Sequence, residues 1–125
     1  MTNEMRLVLT VNDLDRAVAF FRDGLGLAQL AVFENDGGRG VLLDGGRATL
    51  ELFDEAQAAA IDQLEVGRRV SGPVRLGFHV SDSDAVAKTL AHAGAEVVGG
   101  PVLTPWGDTN VRLVGPGDMQ LTLFS

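Results

Sequence analysis

Hydrophobic residues near the start of the chain first alternate with polar ones and then take a helical spacing. In RLVLTV (6–11), Leu7, Leu9 and Val11 share one face of a predicted strand. LDRAVAFFRDGLG (14–26) then places apolar side chains on one face of a helix, with Asp13 as its N-cap. Glycines close this segment, as is typical where a helix ends. The pattern predicts a strand followed by a helix.

The same pattern returns in the second half of the chain. RLGFHV (75–80), Asp82 and SDAVAKTLAHAG (83–94) repeat the strand, the cap and the helix at an offset of 69 positions. TLELF (49–53) is matched by QLTLF (120–124) at an offset of 71 positions. Because two separate blocks recur in the same order, we interpret the chain as an internal duplication.

Each copy contains two further segments with strand character. LAQLAVFE (27–34) and GVLLD (40–44) flank the hairpin signal NDGGR, and AEVVGG (95–100) and NVRLVG (110–115) flank a longer loop. DEAQAAAIDQLEV (54–66) is predicted to be a short helix, followed by GRRVSGP as a connection. We therefore expect one α+β domain over residues 1–125. It consists of two tandem βαβββ modules, at about 4–54 and 74–125, joined by a linker at about 55–73.

Composition narrows the classes of partner. The chain carries 10 basic and 17 acidic residues, for a net charge of −7, and its basic residues form no run. A negative field repels phosphate backbones, so we expect no nucleic-acid partner. Cysteine is absent, which excludes disulfides and thiolate chemistry. The N-terminus does not resemble a signal peptide and no apolar run is long enough to span a bilayer, so we expect no membrane partner and a cytoplasmic location.

Two motifs carry a family resemblance. V-x-D-L-D-R-A-V-x-F-F-R-D-x-L-G-L (11–27) and PWGDTNVRLVGPGDMQLTLF (105–124) resemble the vicinal oxygen chelate superfamily, which includes glyoxalase I, extradiol dioxygenases and bleomycin-resistance proteins. The second motif is most similar to the bleomycin-resistance branch, although GPGD stands where that branch has DPDG. The resemblance implies the glyoxalase/bleomycin-resistance fold, a curved mixed sheet around a cavity. It also implies a homodimer, since family members commonly pair modules from two chains.

The resemblance further implies a set of metal-ligand positions. Metal-using members place a His or Gln on the first strand of each module and a Glu on the last strand. Those positions fall on Arg6 and Arg75, and on Glu51 and Thr122. A guanidinium has no free lone pair and stays protonated, so it repels a cation. We therefore expect no bound metal and no cofactor.

Strand alternation tests these positions independently of the resemblance. It places Arg6, Glu51, Arg75 and Thr122 on the strand face opposite the helices, where a cavity would lie. The first three sum to +1. They form either a structural ion cluster in place of a metal or a site for an anionic ligand.

Two further residues are candidates for ligand binding. His79 shares the inward face of its strand, where a hydrogen-bonded structural role is the alternative. Trp106, the only tryptophan, lies in a loop between Pro105 and Gly107. It could stack on an aromatic ligand at the pocket mouth or simply anchor the loop.

Three functions follow from these residues. The first is a metal-free protein that binds a small drug or metabolite, anionic or aromatic, as in antibiotic resistance. The second is a metal-dependent enzyme, such as a glyoxalase-like lyase or a dioxygenase. The third is a metal-free catalyst with Glu51 as the base. The fold alone does not choose among them, and the ligand is not identified.

Overall fold

The computed structural model describes residues 2–125. The first module contains β1 (Thr2–Thr10), α1 (Leu14–Val18), β2 (Ala28–Asn35), β3 (Gly38–Asp44) and β4 (Thr49–Phe53). The connecting segment forms α2 (Glu55–Glu65). The second module contains β5 (Val74–Val80), α3 (Ser83–His92), β6 (Glu96–Leu103), β7 (Thr109–Val114) and β8 (Gln120–Phe124). The predicted βαβββ order is confirmed in both halves.

All eight strands belong to one mixed sheet, in the order β2-β3-β4-β1-β5-β8-β7-β6. In each module the first strand pairs in parallel with the last, β1 with β4 and β5 with β8. The two modules join where β1 and β5 pair antiparallel, with Leu7 opposite Leu76. These two leucines are equivalent in the duplication, so an approximate twofold axis passes between them.

The two helices predicted from the repeat cover the same side of the sheet. Leu14 and Val18 of α1 pack with β1, β3 and β4, as the sequence predicts, and α3 packs similarly on β5, β7 and β8. Asp13 and Asp82 cap these helices by accepting from the backbone N–H three residues on. The first helix continues after Val18 as a π-helical segment, Ala19–Gly24.

Two strands, β1 and β6, extend beyond the bounds predicted from the sequence. β1 begins at Thr2 rather than Arg6, because Thr2 and Glu4 pair with β5 although they carry no apolar pattern. β6 extends through Pro101 to Leu103, which a proline permits because β6 lies at the edge of the sheet. Asp36 and Gly37 form the β2–β3 turn with positive φ at both residues, the hairpin geometry that an Asp-Gly pair favours.

The linker helix α2 lies across the opposite, concave side of the sheet. Its apolar residues Ala58 and Ile61 pack on Val8 and Phe53. Its two ends rest on glycines of opposite modules, because a Cβ at Gly38 or at Gly99 would collide with the α2 backbone. None of the helices within residues 2–125 is long and apolar enough to cross a membrane.

Candidate ligand-binding cavity

A cavity of about 300 Å³ lies between the concave face of the sheet and α2. Both modules and the linker helix of the one chain contribute to its walls. The walls combine aromatic side chains with buried charged groups. The lining residues are Arg6, Val8, Phe33, Asn35, Glu51, Phe53, Gln57, Ile61, Glu65, Arg75, Gly77, Trp106, Asp108, Asn110, Thr122 and Phe124.

Strand register brings the predicted site residues together at the centre of the cavity floor. Val8 of β1 lies between Glu51 of β4 and Arg75 of β5. The adjacent row contains Arg6, Gly77 and Thr122. Arg6 and Arg75 are equivalent in the duplication, as are Glu51 and Thr122, and the two pairs lie about the approximate twofold axis.

Arg6 is held by carboxylates and by an aromatic ring. Its Nε donates to Glu4 Oε2 at 2.8 Å, and its Nη2 donates to Glu4 Oε1 at 3.3 Å. Its Nη1 lies 3.6 Å from Glu51 Oε2, and the guanidinium stacks 4.7 Å from the centre of the Phe124 ring. Burial alone would raise the pKa of Glu4, but hydrogen bonds from Arg6 and Thr49 lower it.

The Glu51 carboxylate is buried and has few partners. It makes no hydrogen bond within residues 2–125, and the 3.6 Å approach of Arg6 is too long to be one. Burial raises the pKa of Glu51, against the opposing attraction of Arg6 and Arg75. The carboxyl group therefore holds its proton more tightly than an exposed glutamate does.

Arg75 is a buried guanidinium with a single neutral hydrogen-bond partner. It is 7% exposed, and its Nη1 donates to Thr122 Oγ1 at 2.6 Å. Its guanidinium lies 5.6 Å from the centre of the Phe53 ring. Among residues 2–125, no carboxylate oxygen lies within 4.0 Å of it, and burial lowers the pKa of Arg75.

The expected surplus charge of +1 at this site needs correction. Glu4, which precedes the predicted start of the strand at Arg6, forms a two-point ion pair with Arg6. The local group of Arg6, Arg75, Glu4 and Glu51 is therefore neutral as a set. Its charges are unevenly paired, since Arg6 has two carboxylate neighbours and Arg75 has none in direct contact.

A second ionic group, missed by sequence reasoning, fastens α2 to the second module. Arg112 of β7 is fully buried and donates to Asp62 Oδ1 at 2.8 Å and to Glu65 Oε1 at 3.0 Å. Glu65 also accepts from Asn110 at 3.0 Å and from Thr122 at 2.9 Å. Asp62 further accepts from Ser71 and from the backbone of the following connection, and we call Arg112, Asp62 and Glu65 the α2 anchor.

The sequence contains two patterns that indicate the residues of the α2 anchor. Alternation in β7 places Asn110 and Arg112 on the face opposite Val111 and Leu113, the same logic that located Arg75. Asp62 and Glu65 are three residues apart and therefore adjacent on the helix surface. Neither pattern reveals that the linker helix folds onto the concave face, which only the tertiary contacts decide.

The two remaining predicted residues have different positions. Trp106 lies at the cavity mouth and is 39% exposed, consistent with the predicted contact to a ligand. His79 is not among the residues that line the cavity. Its Nδ1 lies 3.2 Å from Asn3 Nδ2 and its ring 5.2 Å from that of Phe124, so His79 flanks the site beyond Phe124.

The residues present do not fit the metal site that the family resemblance implies. Two of the four positions hold guanidinium groups, and a third holds a hydroxyl that is engaged by Arg75 and Glu65. Nowhere in residues 2–125 do three or more His, Asp or Glu side chains come together in an arrangement that could hold a metal ion. We therefore derive no step through a metal.

The fold of the chain is shared with known proteins, and its sequence matches a known superfamily. The sequence profile of the glyoxalase/bleomycin resistance protein/dioxygenase superfamily matches residues 5–119, and the chain belongs to this superfamily. No curated protein matches the chain significantly in sequence.

Solved structures of similar fold cover nearly the whole chain. A hypothetical protein from Bacillus halodurans is 16% identical, with a TM-score of 0.72 and coverage of 98% of this chain and 93% of its own. Methylmalonyl-CoA epimerase from Streptomyces coelicolor is 24% identical, with a TM-score of 0.68 and coverage of 99% and 97%. The Mycobacterium tuberculosis epimerase is 21% identical, with a TM-score of 0.66 and coverage of 98% and 85%. At these identities the likeness defines the fold and leaves the function to the site.

Proposed function

We propose that this protein binds a compact organic ligand, a drug or metabolite, in the cavity without a metal ion. One observation carries the proposal: the chain encloses a 300 Å³ cavity at whose centre guanidinium groups replace two neutral metal donors. The volume is at the lower end of the range for small-molecule pockets. A cation would meet Arg6 and Arg75, whereas an organic ligand meets aromatic walls and unsatisfied polar groups.

The wall chemistry favours a ligand with a flat apolar part and a polar end. Phe33, Phe53, Phe124 and Trp106 supply the aromatic surface, and the charged floor supplies orientation. An aromatic or anionic metabolite and a drug of that size both satisfy this description. Antibiotic resistance by sequestration, and membership of the bleomycin-resistance branch, remain predictions within it.

Ligand screening of the purified protein tests the proposal. Compounds that raise the melting temperature are expected to change Trp106 fluorescence, because Trp106 lies at the mouth. Gly77→Phe would fill the floor, since Gly77 faces the cavity between Arg6 and Thr122, and it should abolish these responses. Gly72→Phe, in the open connection after α2, is the matched control.

Elemental analysis after dialysis against zinc, nickel and manganese should show no stoichiometric ion. One tightly held ion per chain would contradict the proposal.

A metal-free proton-transfer enzyme is the second candidate. Glu51 favours it, because a buried carboxylate with a raised pKa is a stronger base than an exposed one and faces the cavity. The structural neighbours include epimerases of methylmalonyl-CoA, so that thioester is a suitable first substrate. Deuterium incorporation from D₂O that requires Glu51 would favour the enzyme. Binding without exchange would favour the sequestering protein. A glyoxalase-like lyase or dioxygenase has less support, because each would need donors that Arg6 and Arg75 do not supply.

We also propose a homodimer, on the basis of apolar side chains that the chain exposes. The residues that line the cavity in this structure come from both modules and α2 of one chain. However, the edge strand β2 and the adjoining segment after α1 expose several large apolar side chains, namely Phe20, Leu25, Leu30 and Val32. A cytoplasmic location remains a prediction from the sequence.

A further inference from the structure

Two oppositely charged groups on the cavity floor, Arg75 and Glu51, have hydrogen-bonding capacity that residues 2–125 leave largely unused, although Arg6 approaches Glu51 to 3.6 Å. Arg75 is 7% exposed, and the one side-chain hydrogen bond that it makes within residues 2–125, to Thr122 Oγ1, engages one of five donors. Glu51 is 8% exposed and has no hydrogen bond within residues 2–125. Buried ionised groups are costly unless they are paired, so each calls for a partner inside the cavity.

The strand register explains why the two groups do not satisfy each other. Glu51 and Arg75 are on opposite sides of Val8, on strands that are both neighbours of β1. Two strand spacings separate their backbones by roughly 10 Å. Val8 packs beneath α2 and fills the direct line between them. All three residues of this row also contribute to the cavity wall.

Of the other charged residues that line the cavity, Arg6 and Glu65 are paired, whereas Asp108 makes no ion pair within residues 2–125 and is half-buried close to Trp106 in the chain. Glu4 holds Arg6, with Nε 2.8 Å from Oε2. Glu65 and Asp62 hold Arg112 in the α2 anchor. Among the described residues, the centre of the floor therefore holds one guanidinium without a carboxylate partner, Arg75, and one carboxylate, Glu51, whose nearest guanidinium is that of Arg6 at 3.6 Å.

Two neutral hydrogen-bond acceptors that line the cavity are also without a donor in the described part of the chain. Asn110 and Gln57 both line the cavity, and each is at least nine-tenths buried. In residues 2–125, the side-chain oxygens Asn110 Oδ1 and Gln57 Oε1 accept no hydrogen bond. Gln57 contacts the first module through Asn35, whereas Asn110 lies on β7, four strands from Glu51. An ammonium group has three N–H donors, so one paired with Glu51 has donors left for an acceptor on that side of the cavity, such as Gln57 Oε1.

We propose that the cavity binds a small zwitterion with an apolar body, such as an α-amino acid with an aromatic or branched side chain. Its carboxylate pairs with Arg75, its ammonium pairs with Glu51, and its side chain contacts Phe53 and Phe124. The inference rests on the proposed binding function and specifies its ligand class. A simple acid leaves Glu51 unsatisfied and a simple amine leaves Arg75 unsatisfied, so each binds less tightly than the zwitterion.

Matched ligand sets test the class directly. Each set contains an amino acid, the acid that lacks its amine and the amine that lacks its carboxylate, built on the side chains of valine, leucine and phenylalanine. Affinities are measured by calorimetry near neutral pH. For at least one set, the amino acid should bind about tenfold more tightly than either partner, the loss expected when a charged group loses its hydrogen-bonded partner.

Variants assign the two charges to the two residues. Arg75→Gln should abolish the advantage of the amino acid over the amine, and Glu51→Gln should abolish its advantage over the acid. Each readout is a ratio of affinities measured on one protein sample, so a partly unfolded variant does not distort it. Arg68→Gln and Glu96→Gln, at exposed positions away from the cavity, should leave both ratios unchanged.

The outcomes separate this inference from the proposed function. If acids, amines or neutral compounds bind in a manner that Gly77→Phe blocks, but no amino acid is preferred, the zwitterion class is wrong and cavity binding stands. If no compound binds in a Gly77-dependent manner, both proposals fail. A preference for the amino acid that survives both Arg75→Gln and Glu51→Gln would overturn the assignment of these residues.

Discussion

At the scale of single residues, the distribution of partners matters more than the count of charges. Arg6 and Arg75 are equivalent in the duplication, yet Arg6 is paired with Glu4 and Arg75 meets only a hydroxyl. The difference arises because Glu4 corresponds to Pro73 in the second module and Glu51 corresponds to Thr122. One module thus retains a carboxylate, and the other an uncompensated guanidinium.

Glu51→Gln should change the pH dependence of stability. Burial raises the folded-state pKa of Glu51 above its ordinary value of 4.5. The contribution of Glu51 to the free energy of unfolding is therefore fully present below pH 4.5, and it is lost as pH rises through the raised pKa. The variant lacks this loss, so its stability relative to the parent should be more favourable near pH 8 than near pH 4. Urea unfolding of both proteins at the two pH values measures this. A pH-independent difference would mean that Glu51 is not a buried titrating group.

At the scale of elements, α2 is the least expected contributor. The sequence predicts a short helix in the linker, which is confirmed, but it does not predict that the helix roofs the cavity. Glycines at both ends permit close docking, Gly38 under the first turn and Gly99 under the last. The α2 anchor then fixes its second half to β7.

Gly99→Ala should loosen the C-terminal end of α2. The added Cβ would collide with the Glu65 carbonyl, which is backbone and cannot rotate away. We expect a loss of about 1–3 kcal/mol in the free energy of unfolding. Gly72→Ala, where a Cβ meets open space, should be close to the parent. Thermal and urea melts of the two variants make the comparison, and equal stabilities would argue against tight docking of α2.

Asp62→Asn should be more damaging, because it leaves the fully buried Arg112 with one carboxylate fewer. A loss of about 3–5 kcal/mol is expected for breaking a buried ion pair. Burial raises the pKa of Asp62, but hydrogen bonds from Ser71 and Val70 and the charge of Arg112 outweigh it and hold the pKa well below 3.8. The stabilisation is therefore present above that value and disappears as pH falls through the lowered pKa.

The Asp62→Asn penalty should accordingly shrink in strong acid. Urea unfolding at neutral and acidic pH measures the change. Asp118→Asn, at an exposed position, should differ from the parent by less than about 0.5 kcal/mol at both pH values. A penalty that stays constant into strong acid would show that the charge of Asp62 is not what holds α2.

At the scale of the whole molecule, the duplication yields one continuous sheet. Pairing of β1 with β5 joins the modules and places their floor residues in one cavity. The sheet ends at β2 and β6, whose outer edges are unpaired in the single chain. The proposed dimer would use the β2 edge, where the exposed apolar side chains concentrate.

Light scattering at micromolar concentration tests this association. We expect a mass twice the 13.2 kDa of the chain. Leu30→Lys together with Val32→Glu would place charges on the β2 edge and should shift the mass to that of a monomer. Retention of ligand binding by this variant would confirm that one chain completes the cavity, and a monomeric parent protein would contradict the dimer.

The local pattern of apolar and polar residues determined the helices and strands of this protein and which side chains share a face of the sheet. Alternation placed Arg6, Glu51, Arg75 and Thr122 on one side of the strands, and the repeat implied that equivalent residues would meet, because period and duplication are properties of the sequence itself. Tertiary structure decided what those residues meet. Strand β1 extended back to Glu4, which pairs with Arg6. Helix α2 folded over the floor, and Arg112 became its anchor, through contacts between residues distant in the chain. No periodicity encodes such contacts, because they depend on how the sheet curves and how the linker crosses it.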